Sequence, residues 1–270
     1  MKVISEQIGH ILIIRSNEDL CKLRNFAEEQ LSKKKHIRTV LLQTNKVSKE
    51  ERVPSLRYFM GEKKFETIHT EYGCKFYLNP AKVFFSPRLS FERQRIANEV
   101  NKNEKIINFF SGVGPFSICI AKKVPSSVIH SIELNYAAYQ YMIKNIEVNK
   151  CNNKVIPYLG DALEIVKKQF INYADRIILP LPMLADKALP LAIKSLSNEE
   201  GIIHWQISEY VGKKENKNDL GKIVRQRLER VVKESKLKNK IIIQLIRKIR
   251  SLSPNIAHIA VDLRVEKTKV

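Results

Sequence analysis

The sequence predicts an α/β fold: a small α+β unit, then a parallel sheet covered by helices and closed by an antiparallel pair of strands. Three observations lead there. From about residue 106, short apolar runs alternate with amphipathic stretches of helical period, as in βαβ units whose sheet is buried on both faces. The last two apolar runs, 241–249 and 258–265, follow one another with no helix between, so they pair antiparallel. Before residue 80 the order is instead strand, helix, strand, hairpin.

In the first unit, HILIIR (10–15) is apolar and β-branched and reads as a strand. Ser16 or Asn17 then caps a helix to about Lys33, with Leu20, Leu23, Phe26 and Leu31 on one face. TVLLQ (39–43) is the next strand, and the polar stretch 44–56, with Pro54, is a loop. Residues 67–72 and 75–78 flank Gly73 as a hairpin. In the second unit the strands are 106–110, 127–133, 154–159, 175–181 and 201–207, with helices at 115–123, 136–149, 161–170 and 184–196. A long basic helix, about 219–235, precedes the closing strands. The chain of 270 residues thus divides into a small α+β domain over 1–80 and a parallel-sheet domain over 81–270.

Composition narrows the function. With 44% hydrophobic and 28% charged residues the chain is not a disordered one. No apolar run approaches the roughly 20 residues of a membrane-spanning helix. MKVISEQIGH lacks the apolar core of a secretory signal, so a soluble cytoplasmic protein is expected. Cys21, Cys74, Cys119 and Cys151 are scattered without a CxxC pair, which argues for reduced thiols and against a structural zinc or disulfides. The net charge is +20, and residues 213–250 hold 14 basic against 4 acidic side chains, a footprint for a polyanion.

One loop has the pattern of a ligand site, although a tight strand-to-helix turn alone would also call for its glycines. In NFFSGVGPF (108–116), Gly112 and Gly114 turn the chain from the first strand into a helix and let the backbone approach a ligand closely. No Gly-Lys-Ser/Thr follows, so it is no Walker loop, and the third glycine of the dinucleotide fingerprint is missing. Glu133 ends the second strand about 20 residues on, where a carboxylate accepts from both ribose hydroxyls of an adenosine cofactor. Asp161 follows the third strand, suited to an adenine amino group, although either acid alone would serve as a helix cap. With neighbouring Phe110, Leu134, Ala162 and Pro180, these residues lie at the carboxyl ends of the strands, where open α/β sheets bind ligands.

FFSPRLSFERQRI (84–96) followed by FSGVGPFSI (110–118) resembles the archaeal and eukaryotic tRNA (guanine-N1)-methyltransferase family. EQIGHILII (6–14), EYGCKF (71–76) and SPNIAHIAVDLRV (253–265) extend the similarity across nearly the whole chain. The resemblance implies a Rossmann-like class I methyltransferase domain that uses S-adenosyl-L-methionine to methylate the guanine just 3′ of the anticodon. Its general base would be Glu92, the Glu of Pro-Arg-Leu-x-x-Glu-Arg, because the proton on guanine N1 must leave as N1 attacks the methyl. Arg93 would lie against the cofactor. The family arginine nine residues before the Gly-Glu of the small domain would be Arg52, with Arg57 the less fitting alternative, and would stabilise negative charge growing on the base.

The chain also departs from the family. Pro180-Leu181-Pro182 stands where the family has Asn-Leu-Pro, so a side-chain amide is absent and no backbone N–H replaces it. Asn108 stands for the usual Asp. The resemblance places the start of the chain at the family's middle domain, so the small extra domain that precedes it in many members is expected to be missing. That layout is shared with wybutosine-pathway enzymes, which transfer the aminocarboxypropyl group to the same nucleotide but lack the Pro-Arg-Leu and Gly-Pro-Phe elements. Methyl transfer is therefore the reading, with wyosine-pathway transfer or a weakened tRNA-binding paralogue as alternatives. The partner expected is the anticodon stem-loop, bound by a monomer that uses no metal. Residues 213–250 and Lys33-Lys34-Lys35 would track phosphates. Trp205 and Tyr210 are stacking candidates, Trp205 being the better core residue, and His204 and His258 read as structural.

Overall fold

The computed structural model describes residues 3–15, 19–44, 55–197, 200–212 and 217–266. In chain order the first unit is β1 (Ile4–Ile8), β2 (Ile11–Arg15), α1 (Leu20–Lys33), β3 (Thr39–Gln43) and β4 (Leu56–Gly61), followed by the hairpin β5 (Thr67–Glu71) and β6 (Cys74–Leu78). A 3-10 turn, Pro87–Leu89, leads into α2 (Ser90–Glu99). Then come β7 (Lys105–Asn108), α3 (Pro115–Lys123), β8 (Val128–Glu133), α4 (Tyr136–Val148), β9 (Val155–Leu159), α5 (Ala162–Gln169), β10 (Arg176–Leu179) and α6 (Ala185–Ser195). β11 (Glu200–Tyr210), α7 (Lys217–Glu234), β12 (Lys240–Ser253) and β13 (Ile256–Glu266) complete the chain.

The helices and strands expected from residue 105 onward are all present. They build a seven-stranded sheet in the order β12-β13-β11-β10-β7-β8-β9. The five central and outer strands β11, β10, β7, β8 and β9 are mutually parallel, and β13 and β12 add antiparallel. This is the class I methyltransferase arrangement. Its strand order reverses between β7 and β10, and their carboxyl ends open there into a crevice. Burial explains the strand sequences: Ile106, Ile107, Ile177, Ile178, Leu179 and Ile203 are wholly inside.

Two edge strands escape the sequence reading. β1 (ISEQI) is half polar and pairs only with β2, and β4 (LRYFMG) occupies the far edge of the four-stranded sheet β1-β2-β3-β4. The α1 cap also differs: Asp19, not Ser16 or Asn17, accepts from Cys21 N–H at 3.3 Å, and Ser16 and Asn17 lie outside the described residues. One face of this sheet packs on α1 through Leu12, Ile14, Leu23, Ala27 and Val40. The other face, through Ile8, Ile11, Ile13 and Leu41, joins a core that runs on to Phe76, Phe85 and Ile106.

The hairpin is bonded to α4. Asn149 accepts from Lys75 N–H (2.9 Å) and donates to Lys75 C=O (2.7 Å), and Asn145 does the same with Tyr77 (2.6 and 3.1 Å). Two side-chain amides thus stand in for a neighbouring strand along the open edge of β6. All three cysteines beyond Cys21 are buried, and all four are free thiols. Among the described residues, no helix is long and apolar enough to cross a membrane.

Candidate active site

The crevice is a cavity of about 440 Å³. Its floor is the turn between β7 and α3. Gly112 sits at φ 56° and Gly114 at φ 86°, the left-handed region where a side chain is strained. A Cβ on Gly112 would meet nothing nearer than Phe84 C=O at 3.9 Å, so that backbone faces open space. Gly112 N–H donates to Glu133 Oε2 at 2.7 Å, and Asn135 N–H donates to Oε1 at 2.8 Å. Each carboxylate oxygen keeps a second lone pair for an incoming hydroxyl. Burial pushes the Glu133 carboxyl above its ordinary value, against the opposing pull of those backbone N–H groups.

Phe110, Gly112, Glu133, Leu134, Asp161, Ala162, Pro180 and Arg93 all line this cavity, as the sequence indicates; Gly114 shapes the turn behind it. Asp161 is at once a helix cap, its Oδ1 accepting from Leu163 N–H at 2.7 Å and Glu164 N–H at 3.4 Å. The cap uses Oδ1 and leaves Oδ2 to a ligand. Phe84, Phe110 and Leu163 supply apolar wall for a flat ring, and Gly112 leaves the backbone bare, so the residues present fit an adenosyl group. Ala138, Leu163, Leu184 and Lys187 line it without having been singled out in the sequence reading. Ser86, also in the lining, belongs to the FFSP run beside the Pro-Arg-Leu motif.

Arg93 is 1% exposed and fixed by the hairpin. Its guanidinium makes a two-point pair with Glu71, by Nε to Oε1 and by Nη2 to Oε2 at 2.6 Å, donates to Ser86 C=O at 3.2 Å, and lies 5.0 Å from the Phe85 ring centre. Burial pushes the Glu71 carboxyl up, but the His69 and Arg93 hydrogen bonds outweigh it and hold it below its ordinary value.

Glu92 departs from expectation: it does not line the cavity. Adjacent helical residues diverge by about 100°, so when Arg93 faces the cavity Glu92 faces elsewhere. It is 1% exposed, with Oε1 and Oε2 accepting from Arg95 at 2.6 and 3.1 Å and Arg247 at 3.4 Å. Arg95 also donates to Asp262 (2.5 and 3.0 Å) and Glu99 (2.7 Å). The chain of charges continues through His204, 2.7 Å from Asp262, to Arg176 at 2.8 Å and Glu104 at 2.6 Å. Burial raises the Asp262 carboxyl, yet His204 and Arg95 hold it down at about 2. Glu99, His204 and Asp262 converge closely enough for a metal ion, but the Arg95 guanidinium already supplies the cation to both carboxylates.

Other expectations sort as follows. Arg52 lies outside the described residues, and Arg57 is exposed on β4. Asn108 is fully buried and its amide donates to Ser117 Oγ at 3.0 Å, so it supports the turn from behind and does not reach the cavity. Trp205 is core at 0% exposure, which removes it as a stacking surface, whereas Tyr210 is exposed. His204 and His258 are buried and hydrogen-bonded, as structural histidines should be. Arg227, in the basic stretch, is turned inward onto Asp186 (3.0 Å) and Glu209 (2.7 Å).

Comparison with known proteins agrees with this geometry. The model of the TRM5/TYW2 methyltransferase domain matches residues 67–243. The tRNA 4-demethylwyosine(37)-methyltransferase Taw21 of Saccharolobus solfataricus is 41% identical over 204 residues, 74% of this chain and 75% of that protein. The tRNA (guanine(37)-N(1))-methyltransferase Trm5b of Pyrococcus abyssi is 36% identical over 96% of this chain and 73% of its own, and its crystal structure superposes with a TM-score of 0.82 at 34% identity over 98% and 75% of the two chains. A complex of aTrm5 with tRNALeu gives a TM-score of 0.79 at 29% identity over 97% and 72%. TYW2 of M. jannaschii in complex with AdoMet gives 0.72 at 28% identity over 98% and 100%. With the Pro-Arg-Leu helix and the glycine turn meeting at one cavity, and a family match over well more than half its length, the chain belongs to the TRM5/TYW2 methyltransferase family.

Proposed function

We propose that this protein transfers a methyl group from S-adenosyl-L-methionine to N1 of guanine 37 in tRNA, the reaction for which the Pyrococcus abyssi relative is named. The observation that carries the reading is the pairing of Glu133 with Gly112 N–H across a cavity whose wall also holds Arg93. Bound there, the cofactor supplies a methyl made electrophilic by its sulfonium. Glu133 orients ribose hydroxyls, Asp161 Oδ2 receives the adenine amino group, and the carbonyls of Leu179 and Pro180 are further acceptors beside it. The base must leave its stack to reach such a pocket, which an anticodon-loop nucleotide does at little cost.

Glu92 is the general base in this reading. Both its oxygens accept from Arg95, so proton acceptance requires Arg95 to let go of it. Asp262 and Glu99 already hold the other N–H groups of Arg95 and offer it an alternative seat. Arg52 would face the base from the small domain. That domain, residues 1–80, presents the target and residues 81–270 hold the cofactor; the hairpin within 67–78 ties the two together through Glu71 and Arg93. A cytoplasmic monomer working without a metal ion completes the proposal. Incubating the protein with S-adenosyl-L-methionine and a tRNA transcript should yield N1-methylguanosine at position 37; unaltered tRNA beside an active control enzyme would overturn it.

A second reading is methylation of 4-demethylwyosine at the same position, as in the Saccharolobus solfataricus relative. Pro180, Leu181 and Leu184 favour it, since they give the cavity an apolar edge without a side-chain amide to read guanine. Product formed only on tRNA carrying the tricyclic base would select this reading.

A further inference from the structure

Two arginines from distant elements converge beside the cavity, at Ser86. Arg250 of β12 donates from Nη1 to Ser86 Oγ at 3.0 Å. Ser86 Oγ in turn donates to Glu6 Oε1 at 2.8 Å, and Arg88 of the 3-10 turn lies 3.7 Å from the same oxygen. Burial and the nearby charges of Arg88 and Arg15 hold the Arg250 guanidinium below its ordinary value against the pull of Glu6, while the exposed Arg15 side chain itself donates to Gln43 Oε1 at 3.0 and 2.6 Å. Glu6 is the acid that faces Arg88 and, through Ser86 Oγ, Arg250, so two guanidinium groups meet one carboxylate. Nε of Arg250 is buried and has no partner among the described residues. Such an excess of fixed positive charge is costly unless an anion completes it.

We propose that Arg250 and Arg88 bind one backbone phosphate of the tRNA, on the strand whose base enters the cavity. Guanidinium groups meet the two non-bridging oxygens of a phosphodiester with a forked geometry that lysine lacks. The position suits a strand leading to the pocket: Ser86, which anchors Arg250 by its hydroxyl, lines the cavity and accepts from Arg93 by its carbonyl. The inference rests on the tRNA reading above and gives it a route. It also separates from the Lys33–Lys35 run, where Lys33 is engaged with Glu29 on an exposed helix face.

The test is a salt titration of tRNA-transcript binding by the wild-type chain and by Arg88→Gln and Arg250→Gln. Each lost phosphate contact lowers the slope of log K against log salt by about 1. Both variants should show that loss, with affinity for S-adenosyl-L-methionine unchanged as the check on folding. The Arg88 side chain is 46% exposed, so its replacement leaves the fold intact even if Arg250→Gln does not. Wild-type slopes in both variants would overturn the site while leaving the function standing. Absence of tRNA binding by the wild-type chain would overturn both. Calorimetric binding of inorganic phosphate that Arg88→Gln abolishes, with an unchanged RNA slope, would assign the cluster to a free anion and also overturn the proposal.

Discussion

Glu133 and Glu92 are both buried glutamates near one cavity, yet their surroundings give them opposite characters. The oxygens of Glu133 accept only backbone N–H groups, and burial leaves its carboxyl above the ordinary range. The oxygens of Glu92 accept guanidinium N–H groups from Arg95 and Arg247. The first region is a preformed ligand cradle, open and built from a rigid turn. The second is a closed seam of ion pairs joining α2, β11, β12 and β13, in which a change at one charge is felt by its neighbours. In the proposed function, binding and proton transfer fall to separate structural units that meet at α2, with Arg93 on one side and Glu92 on the other.

The largest expected effect breaks the second region while sparing the first. Glu92→Gln should lower methyl transfer by about 10²- to 10⁴-fold, the usual yield of a general base, with cofactor affinity retained by calorimetry. Equal loss of cofactor binding would show that the two regions are not separate. Asp262→Asn comes next. Its carboxyl is held at about 2, below the unfolded value, so it adds stability above pH 4 that is lost as pH falls through about 2. The variant should unfold about 2–3 kcal/mol more easily in urea at neutral pH, and the gap should close on acidification. A gap independent of pH would remove the ion pair as its cause.

Glu133→Ala probes the cradle. Losing the acceptors for the ribose hydroxyls should weaken S-adenosyl-L-methionine binding by about 10- to 100-fold, as for hydrogen bonds to a charged group. In the wild type, the raised carboxyl implies that affinity falls on acidification earlier than an ordinary glutamate would allow. An affinity flat from neutral pH to about pH 4 would contradict this. Smallest is Gly114→Ala, where a Cβ at φ 86° would come within 3.1 Å of Met142 Cγ and 3.2 Å of Ile118 Cδ1. Destabilisation of about 1–2 kcal/mol in thermal unfolding is expected, and none would mean that the turn relaxes freely.

The same contrast explains what sequence reading reaches. The cradle is local: Gly112, Glu133 and Asp161 each sit at the end of a buried strand, and buried parallel strands are continuous apolar runs. Their positions therefore follow from periodicity. β1 and β4 were missed because edge strands carry polar residues and one-sided pairing, which blunt the alternating pattern. The seam is non-local. Arg95 meets Asp262 across 167 positions and Arg247 meets Glu92 across 155, and no spacing in the sequence announces either pair. So the Pro-Arg-Leu motif located α2, and the side of the helix on which Glu92 lies became visible only with its partners.

Nucleoside mass analysis of tRNA treated with the protein and S-adenosyl-L-methionine decides whether the cavity delivers one methyl group to the nucleotide beside the anticodon. Residue 37 should gain the mass of one methylene. A gain of the whole aminocarboxypropyl group, or no change beside a working control, would contradict it.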